Sequence, residues 1–560
     1  MPNLEPRPKI GVFVCCCGSN IAGYVDVPAV AEYARTLPNV VLARENLYTC
    51  SEGGINEIKN AIIEQKLDRV VVASCTPRTH EPLFRNSCKE AGLNPYLFEM
   101  VNIRDQCSWV HMKEREKGTE KAKDLVRMGV AKAEMLTPLD SIELSVSHSA
   151  LVIGGGVAGM SAAESLAGMG YPVILVEKQN RLGGLLNQLR KIYPGAKDAG
   201  TLLEEHVDRV SKDARITVLT DAEVQSVDGY IGNFKVGVSG RGGARTYEVG
   251  ALVVATGATV LQPPDGVYGY DGRRVITQMQ LERRLSDGLE PVPRNVVMVQ
   301  CVGARVRERP YCSRICCQIA VKNALEIRSL FPDTHVSILY RDLQMYGVSN
   351  EEMLRRAKEA GVRFMYYDVG RPPEVKSEHV KIFHQLLGKE LELPADLVVL
   401  STPMVANEDA PRLSGLLRVP LDANNFFLEG HVKLKPLDFA SEGLYLCGSA
   451  RYPANLAESI AQGLGAASRV ATLLSKEHLY TSGITAFVNP ESCAGCLGCV
   501  QTCPYQAISF DPEQGVCKVN PVLCKGCGAC AATCPSQSIQ LMGFTPKQLY
   551  AQIDKVLADD

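Results

Sequence analysis

Three features of the sequence predict a multidomain α/β protein. Segments typical of strands and helices alternate over residues 9–135 and again from residue 149. A glycine-rich turn follows the apolar segment 150–153. Cysteine-rich runs lie near the C-terminus of a chain that has 21 cysteines in 560 residues. We expect an N-terminal parallel α/β domain over residues 1–140, a dinucleotide-binding region over 141–480, a cysteine-rich domain over 481–545 and a C-terminal tail or helix over 546–560.

The composition excludes several classes of protein. A net charge of −2 at pH 7, without a long basic run, argues against a nucleic-acid partner. No uninterrupted apolar stretch of about 18 residues is present, so we expect no membrane span. Residues 1–10 do not resemble a signal peptide. In a long α/β chain without an export signal, cysteines are expected to bind metal rather than form disulfides. We therefore expect a reducing, anaerobic cytoplasm.

The strongest motif is a repeated cysteine pattern near the C-terminus. Each repeat has three cysteines separated by two residues and a fourth that precedes a proline. Bacterial two-cluster ferredoxins have this run, and the fourth cysteine of each repeat binds the other cluster. A zinc ribbon also uses CxxC pairs, but eight cysteines in two such runs favour [4Fe–4S] clusters. The expected ligands are Cys493, Cys496, Cys499 and Cys534 for one cluster and Cys503, Cys524, Cys527 and Cys530 for the other. Cys517 fits neither run.

Residues 149–177 have the pattern of a dinucleotide-binding unit. The strand predicted over 150–153 leads into Gly-Gly-Gly-Val-Ala-Gly at 154–159, a helix of small residues, and a second strand that ends at Glu177. The glycines let the backbone approach a pyrophosphate at the helix N-terminus, and the acid binds ribose hydroxyls.

Later segments favour FAD over NAD. Arg-Leu-Gly-Gly at 181–184, Ala-Thr-Gly at 255–257 and a strand that ends in Cys-Gly at 447–448 together resemble the FAD domain of thioredoxin-reductase-like flavoproteins, which have two dinucleotide-binding domains. In many of these relatives an Asp stands where this chain has Ser449, which puts one ribityl contact in doubt. Residues 461–463, at the start of a predicted helix, are expected to face the isoalloxazine. The expected FAD-binding residues are Gly154, Gly156, Gly159, Glu177, Lys178, Gly183, Gly184, Leu185, Thr256, Gly257, Gly448, Ser449, Ala461, Gln462 and Gly463.

A second nucleotide-binding domain lacks its glycine loop. The strand predicted over 295–300 is followed by Cys-Val-Gly-Ala-Arg, where a loop for NADPH would need glycines. Four cysteines within 17 residues instead suggest a cluster, although their spacing also allows zinc or a disulfide. The expected ligands are Cys301, Cys312, Cys316 and Cys317.

Cysteines of the N-terminal domain follow predicted strand ends. Strands predicted over 9–14, 40–46, 69–73 and 96–101 each precede one or more cysteines. Ligands bind at the carboxyl edge of open α/β sheets, so four segments would direct sulfur to one place. The alternative is that each cysteine is an inert small hydrophobe, as is plausible for Cys88. We favour a further cluster and select Cys17 from the triplet at 15–17. The expected ligands are Cys17, Cys50, Cys75 and Cys107.

These blocks, in this order, resemble the A subunit of heterodisulfide reductase over essentially the whole chain. The resemblance is carried by Val-Cys-Cys-Cys-Gly-Ser-Asn-Ile at 14–21, Ala-Ser-Cys-Thr-Pro-Arg at 73–78, Gln-Cys-Ser-Trp at 106–109, the flavin glycines, the cysteines at 301–317 and the ferredoxin runs. In that family both upstream cysteine sets hold [4Fe–4S] clusters, which implies four clusters and one FAD. Methanogen members also have an inserted ferredoxin domain in the flavin region. No CxxCxxC follows the hairpin-like stretch 229–241, so we expect a form without that insertion.

The resemblance also implies a role and partners. Members are hubs in which FAD is proposed to split an electron pair (electron bifurcation) between ferredoxin and a second acceptor. The implied partners are B-like and C-like subunits of a heterodisulfide-reductase-like complex, an electron-input subunit, ferredoxin and a second copy of the chain. No catalytic side chain is expected, because the chemistry belongs to the flavin.

Two alternative functions stay open. One is an NAD(P)H-dependent flavin reductase of ferredoxin or of a disulfide. The missing second glycine loop, and the lack of a CxxC beside the flavin, argue against it. The other is a non-catalytic electron-relay or assembly subunit.

Overall fold

The computed structural model describes residues 7–557. They form two compact units, one up to Leu144 and from Tyr480 onward, and one over Ser145–Leu479. The N-terminal domain and the C-terminal cysteine-rich domain thus belong to the same unit. The domain boundaries near residues 140, 480 and 545 stay predictions, and residues 558–560 of the tail lie outside the described part.

The N-terminal domain is a four-stranded parallel sheet in the order β2-β1-β3-β4. Strands β1 and β3 are almost entirely buried, as expected for parallel strands with helices on both faces. Side chains of Asp26 and Ser51 accept hydrogen bonds from helix N-termini and fix where α1 and α2 begin. The elements are β1 (Ile10–Cys15), α1 (Val27–Thr36), β2 (Val40–Asn46), α2 (Glu52–Gln65), β3 (Arg69–Ser74), α3 (Pro77–Glu90), β4 (Phe98–Asn102) and α4 (Arg115–Glu134).

The flavin domain has a five-stranded parallel sheet in the order β10-β7-β6-β14-β25. Its first elements match the predicted strand, glycine turn, helix and strand. An antiparallel sheet, β11-β12-β13, occupies the hairpin-like stretch. The elements are β5 (Glu143–Ser145), β6 (Ala150–Ile153), α5 (Val157–Gly168), β7 (Val173–Val176), β8 (Lys191–Ile192), β9 (Lys197–Asp198), α6 (Ala199–Lys212), β10 (Ile216–Leu219), β11 (Glu223–Tyr230), β12 (Asn233–Gly240), β13 (Gly243–Val249), β14 (Ala251–Val254) and β15 (Ala258–Val260).

A second five-stranded parallel sheet, β16-β23-β17-β18-β19, lies in the same unit. It has the architecture of a nucleotide-binding domain, as the sequence predicts. The elements are β16 (Val275–Thr277), α7 (Gln278–Asp287), β17 (Asn295–Val299), α8 (Cys316–Leu330), β18 (His335–Tyr340), α9 (Val348–Glu359), β19 (Arg363–Tyr366), β20 (Glu374–Val375), β21 (His379–His384), β22 (Lys389–Pro394), β23 (Leu397–Leu400), β24 (Met404–Ala406) and α10 (Ala410–Leu417). The chain then returns to the first sheet at β25 (Leu444–Leu446) and continues through α11 (Leu456–Leu474) to β26 (His478–Tyr480).

The C-terminal domain is small and built around its cysteines. Its core consists largely of cysteine and short apolar side chains. The last helix, α14, packs on α4 of the N-terminal domain, where Gln548 Nε2 donates to the Met135 carbonyl at 3.0 Å. The elements are β27 (Ala486–Val488), α12 (Gly498–Thr502), β28 (Ile508–Asp511), β29 (Val516–Val519), α13 (Ala529–Thr533), β30 (Ile539–Leu541) and α14 (Pro546–Leu557).

Close packing of α4 on the N-terminal sheet predicts the effect of a glycine substitution. A Cβ at Gly129 would overlap Val101 Cγ2 and lie 3.6 Å from Val71 Cγ1, and valine has few rotamers with which to move away. We expect Gly129→Ala to destabilise the protein by about 1 kcal/mol, because overpacking outweighs the better helix propensity of alanine. Thermal unfolding followed by circular dichroism measures this.

The matched control is Gly168→Ala. A Cβ at Gly168 meets no atom within 4 Å, so we expect no loss of stability. Val101→Ala should partly offset Gly129→Ala, and strictly additive effects of the two changes would contradict the proposed overlap.

Candidate flavin and iron–sulfur sites

The three glycines of the 154–159 loop are required for different reasons. Gly154 has φ of +110°, and a Cβ there would overlap the Ala255 carbonyl. A Cβ at Gly159 would overlap the carbonyl of Gly154. At Gly156 a Cβ would meet no protein atom within 4 Å. Dinucleotide-binding loops use their three glycines in the same way. Gly154 permits the tight turn, Gly159 permits close packing of helix on strand, and Gly156 leaves open space for a pyrophosphate.

Glu177 lies at the end of β7, beside this loop. Its side chain is buried, and its Oε2 accepts a hydrogen bond from Gly155 N at 2.7 Å. Gly183 N donates to the Gly155 carbonyl at 2.8 Å, so the 181–184 segment lies against the loop. The buried Thr256 Oγ1 has no hydrogen-bond partner in the described structure. A free hydroxyl, open space at the second glycine and a buried acid fit the phosphates and ribose of FAD.

Two predicted residues lie at the edge of this site. Lys178 Nζ pairs with Asp409 at 2.6 Å and is part-exposed. Asn407, which contacts the same lysine, also donates to the Thr256 carbonyl at 3.2 Å. Leu185 packs in an apolar cluster that includes Ile315 of the cysteine segment. The FAD motif and the cysteine segment therefore share a core.

The late flavin segment is organised by α11. Gly448 N donates to Gln462 Oε1 at 3.0 Å, and the Gly448 φ of +68° is in the left-handed region. Ser449 is buried and donates to the Ala454 carbonyl at 3.3 Å. On α11, Ala461 is exposed, whereas Gly463 is buried against α5. Gly257 has φ of +69° and open space around it.

One detail of this segment differs from the sequence interpretation. Residues 461–463 do not begin the helix but lie in its second turn. Helix α11 starts at Leu456 because Asn455 and Glu458 form a capping box there.

The four cysteines predicted beside the flavin converge on the carboxyl edge of the second sheet. Cys301 follows β17 with φ of +61°, and Cys316 and Cys317 open α8. Cys312 Sγ accepts a hydrogen bond from Arg314 N at 3.3 Å. Burial raises the pKa of Cys316 and of Cys317 to about 12, and the thiols of Cys301 and Cys312 contribute. Such thiols stay protonated near neutral pH unless a metal replaces the proton.

The N-terminal cysteines converge only in part. Burial raises the pKa of Cys17 and Cys75, and both thiols are close enough to Cys15 and Cys50 to be affected by them. Cys107 does not join this group. Its buried thiol donates to the Gly118 carbonyl at 3.0 Å, and burial raises its pKa to about 11. The structure thus brings together three predicted ligands with Cys15.

The second ferredoxin set is assembled across the two repeats. Cys503, Cys524, Cys527 and Cys530 line one cavity. The pKa of Cys530 is raised to about 11 by burial and by the other three thiols. Backbone amides of Ala507 and Ala486 donate to the sulfurs of Cys503 and Cys524 at 3.4 and 3.3 Å. The fourth cysteine of the first run therefore lies with three cysteines of the second, as the ferredoxin pattern predicts.

The first ferredoxin set includes an acidic thiol. Burial alone would raise the pKa of Cys534, but hydrogen bonds from Ser538, Ser536 and the backbone lower it to about 7. Cys493 and Cys499 both contact Cys517, whose pKa is raised to about 12 by burial and by these two thiols. Gly498 shows that the end of the second run lies near Cys496. A Cβ at Gly498 would be 3.8 Å from Cys496 Sγ and 3.9 Å from the side chain of Thr533, which precedes Cys534.

Three arginines lie beside the upstream cysteine sets, and none of them is among the site residues expected from the sequence. Arg104 is close to Cys17 and Cys75, and its guanidinium lies 4.8 Å from the centre of the Trp109 ring. Arg305 approaches Cys301 and pairs with Asp342 at 2.6 Å. Arg314 lies in the segment between Cys312 and Cys316. An arginine within a few residues of a cysteine in both upstream sets was the available signal.

Two family models match the chain. The model for pyridine nucleotide-disulphide oxidoreductases matches residues 148–451, and the model for 4Fe-4S dicluster domains matches residues 492–538. With the two parallel sheets and the double ferredoxin run, these matches define an iron–sulfur flavoprotein oxidoreductase that binds FAD and [4Fe–4S] clusters. Among residues 7–557, no helix has the length and apolar character needed to cross a membrane.

Curated relatives identify the family. The second iron–sulfur A subunit of CoB–CoM heterodisulfide reductase from Methanopyrus kandleri is 40% identical over 611 residues, covering 91% of this chain and 92% of the relative. The A subunit of the H2:CoB–CoM heterodisulfide,ferredoxin reductase of Methanothermobacter marburgensis is 39% identical over 649 residues, covering 98% of each chain. The chain belongs to the family of heterodisulfide reductase A subunits. Because the second alignment is longer than this chain, the relative has segments without a counterpart here.

Solved thioredoxin reductases are more distant. The T. acidophilum enzyme is 16% identical, with a TM-score of 0.41 over 58% of this chain and 97% of its own. The Lactococcus lactis enzyme is 17% identical, with a TM-score of 0.42 over 59% of this chain and 99% of its own.

The different roles of the loop glycines predict different outcomes of substitution. Gly156→Ala should leave the apoprotein folded, since a Cβ there meets no protein atom, yet weaken FAD binding at least about tenfold by blocking the pyrophosphate. Gly159→Ala should disturb the loop itself. FAD content after dialysis and thermal unfolding of the apoprotein distinguish the two. Gly168→Ala, on the same helix, should keep its FAD, and wild-type affinity in Gly156→Ala would contradict this assignment.

The shared cavity predicts which cysteines are needed for iron. Cys503→Ala should lower the iron content by about four per chain, because it removes a ligand of the second ferredoxin cluster. Cys517→Ala is the matched control, since its buried thiol lies beside a cluster site without belonging to either run. Anaerobic iron and sulfide analysis measures both. Equal iron loss in the two variants would overturn the ligand assignment.

Proposed function

We propose that the chain is the electron-transfer hub of a multisubunit oxidoreductase. FAD exchanges electrons with four [4Fe–4S] clusters, and through them with partner subunits and ferredoxin. One observation carries the proposal: the convergence of Cys301, Cys312, Cys316 and Cys317 at the carboxyl edge of the second parallel sheet.

The position of this cysteine set supports a one-electron carrier in place of a nicotinamide. Nucleotides bind at the carboxyl edge of open parallel sheets, on glycine loops. Here Cys301 lies two residues after the end of β17, and the next three cysteines of the set follow between it and the first turn of α8. Ile315 lies between Cys312 and Cys316 in the sequence, and its side chain packs in the same apolar core as Leu185 of the FAD motif. This position would let electrons reach the flavin from an iron–sulfur cluster rather than from a bound NAD(P)H.

The cofactors supply the redox chemistry. Bound FAD accepts electrons in pairs and releases them singly, whereas a [4Fe–4S] cluster carries one at a time. Bound at this site, FAD would supply the chemistry needed to divide electron pairs between two acceptors, and we propose ferredoxin as one of them. The protein would set the distances and potentials through burial, charge and hydrogen bonds to sulfur.

The proposed ligands follow the three cysteine groups. The double ferredoxin run holds two clusters and the 301–317 set holds a third. Cys17, Cys50 and Cys75 hold the N-terminal cluster. Its fourth ligand is Cys107, as the strand-end pattern predicts, or Cys15, which lies with the other three in the structure.

The relatives' names support ferredoxin as a partner, and the other proposed partners rest on the family resemblance. Relatives are named for heterodisulfide with ferredoxin, for ferredoxin and F420H2, and for hydrogen and formate. We propose that this chain works in the cytoplasm as a homodimer. Its partners would be B-like and C-like subunits, ferredoxin and an electron-input subunit.

Metal and flavin analysis tests the proposal. The anaerobically purified chain should contain about 16 irons and one FAD, and Cys316→Ser about four fewer irons. Reduced ferredoxin should bleach the flavin, and Cys316→Ser should slow this reduction at least about tenfold, because the one-electron route is broken.

Cys88→Ser is the control, since Cys88 is buried in α3 away from the strand-end loops. About eight irons in the wild-type protein would leave only the ferredoxin domain loaded. Rapid bleaching by NADH alone would favour an NAD(P)H-dependent flavin reductase instead.

A further inference from the structure

Arg314 occupies an unusual place between two proposed cluster ligands. Its φ of +65° is in the left-handed region, which is uncommon for a residue other than glycine. Its backbone N–H donates to Cys312 Sγ at 3.3 Å. Two residues later, Cys316 opens α8. A strained backbone at this position is maintained only when the surrounding contacts determine it.

The guanidinium of Arg314 supplies such contacts. Its Nη2 pairs with Glu458 Oε1 at 2.5 Å. Its Cζ lies 5.4 Å from the ring centres of Tyr346 and Tyr452, a distance at which a cation is attracted to an aromatic face. Arg314 is thus held by one carboxylate and two aromatic rings.

Glu458 joins this arginine to the flavin-binding helix. It is the third residue of α11, and its Oε2 accepts a hydrogen bond from Asn455 N at 3.0 Å. In return, Asn455 Oδ1 accepts from Glu458 N at 2.8 Å. One carboxylate therefore caps α11 with one oxygen and binds Arg314 with the other.

Tyr452 completes a path to the flavin segment. Its hydroxyl accepts a hydrogen bond from Gln462 Nε2 at 3.1 Å, and Gln462 Oε1 accepts from Gly448 N at 3.0 Å. Contacts thus run without a gap from Cys312 through Arg314 and Tyr452 to Gly448. Arg451 also approaches the Tyr452 ring, but its charge is matched by Glu429 at 3.1 Å.

We propose that Arg314 is a positioning residue that fastens the cysteine segment 312–317 to α11, and whose positive charge makes both the flavin and the adjacent cluster easier to reduce. An electron added to either cofactor increases negative charge, which a nearby cation stabilises and the Glu458 carboxylate opposes. This inference rests on the proposed function, because it requires FAD and a cluster on the 301–317 set.

A series of charge-neutralising substitutions in the full-length holoprotein tests it. Arg314→Gln should lower the flavin midpoint potential by about 30 mV or more, which is tenfold in the two-electron equilibrium constant. Glu458→Gln should raise it, and glutamine can still serve in a capping box. The double variant should return close to wild type, and Arg314→Lys should lie between wild type and Arg314→Gln. Flavin absorbance and the cluster's electron paramagnetic resonance signal are followed in anaerobic redox titrations.

Arg469→Gln is the matched control. Arg469 also lies on α11 in an ion pair, with Asp438 at 3.0 Å, but on a later turn of the helix. It should leave both potentials unchanged. The inference is overturned if Arg314→Gln and Glu458→Gln retain wild-type FAD and iron with unshifted potentials, or if both shift them in the same direction. Should Arg314→Gln fail to assemble, Glu458→Gln and Arg314→Lys decide the sign alone.

Failure of the proposed function has a different signature. It is visible in the wild-type protein before any substitution, as missing FAD or as iron sufficient only for the ferredoxin domain.

Discussion

Parallel strands that share a sheet end at the same edge, and the rest of this structure depends on that constraint. In the N-terminal sheet, β1, β2 and β3 bring Cys15 and Cys17 close to Cys50 and Cys75, which are more than 30 residues away in sequence. In the second sheet, the end of β17 and the start of α8 do the same for the 301–317 set. The loops differ in sequence, but within each sheet they lie together because they all follow the carboxyl ends of parallel strands.

Burial determines whether these cysteine thiols are protonated in the absence of a ligand. A thiol in an apolar environment resists ionisation, and the pKa of Cys316 and Cys317 is raised well above that of a free cysteine. Only a ligand that replaces the proton makes such a group anionic. Cys534 is the exception, because Ser536 and Ser538 donate hydrogen bonds to its sulfur. The buried upstream thiols therefore stay protonated without a ligand, whereas the hydrogen bonds to Cys534 favour its thiolate.

Much of the architecture could be predicted from sequence because it follows local patterns. Strand β6, the glycine loop and β7 match the sequence interpretation closely, since apolar runs and glycine spacing are local signals. The predicted start of α11 is wrong because its capping box, Asn455 with Glu458, lies before the Ala-Gln-Gly segment from which the helix was expected to begin. The orientation of Cys107 and the partners of Arg314 depend on contacts across many residues, which no local pattern encodes.

The packing of α14 on α4 has a consequence for biosynthesis. The N-terminal domain leaves the ribosome long before α14 does, since 413 residues separate Gln548 of α14 from Met135 at the end of α4. Until α14 has been synthesised, the surface of α4 that it covers has no partner from this chain. The unit that contains the first and last cysteine sets therefore reaches its final form only after the flavin domain between them has been made, and its maturation cannot proceed strictly from the N-terminus onward.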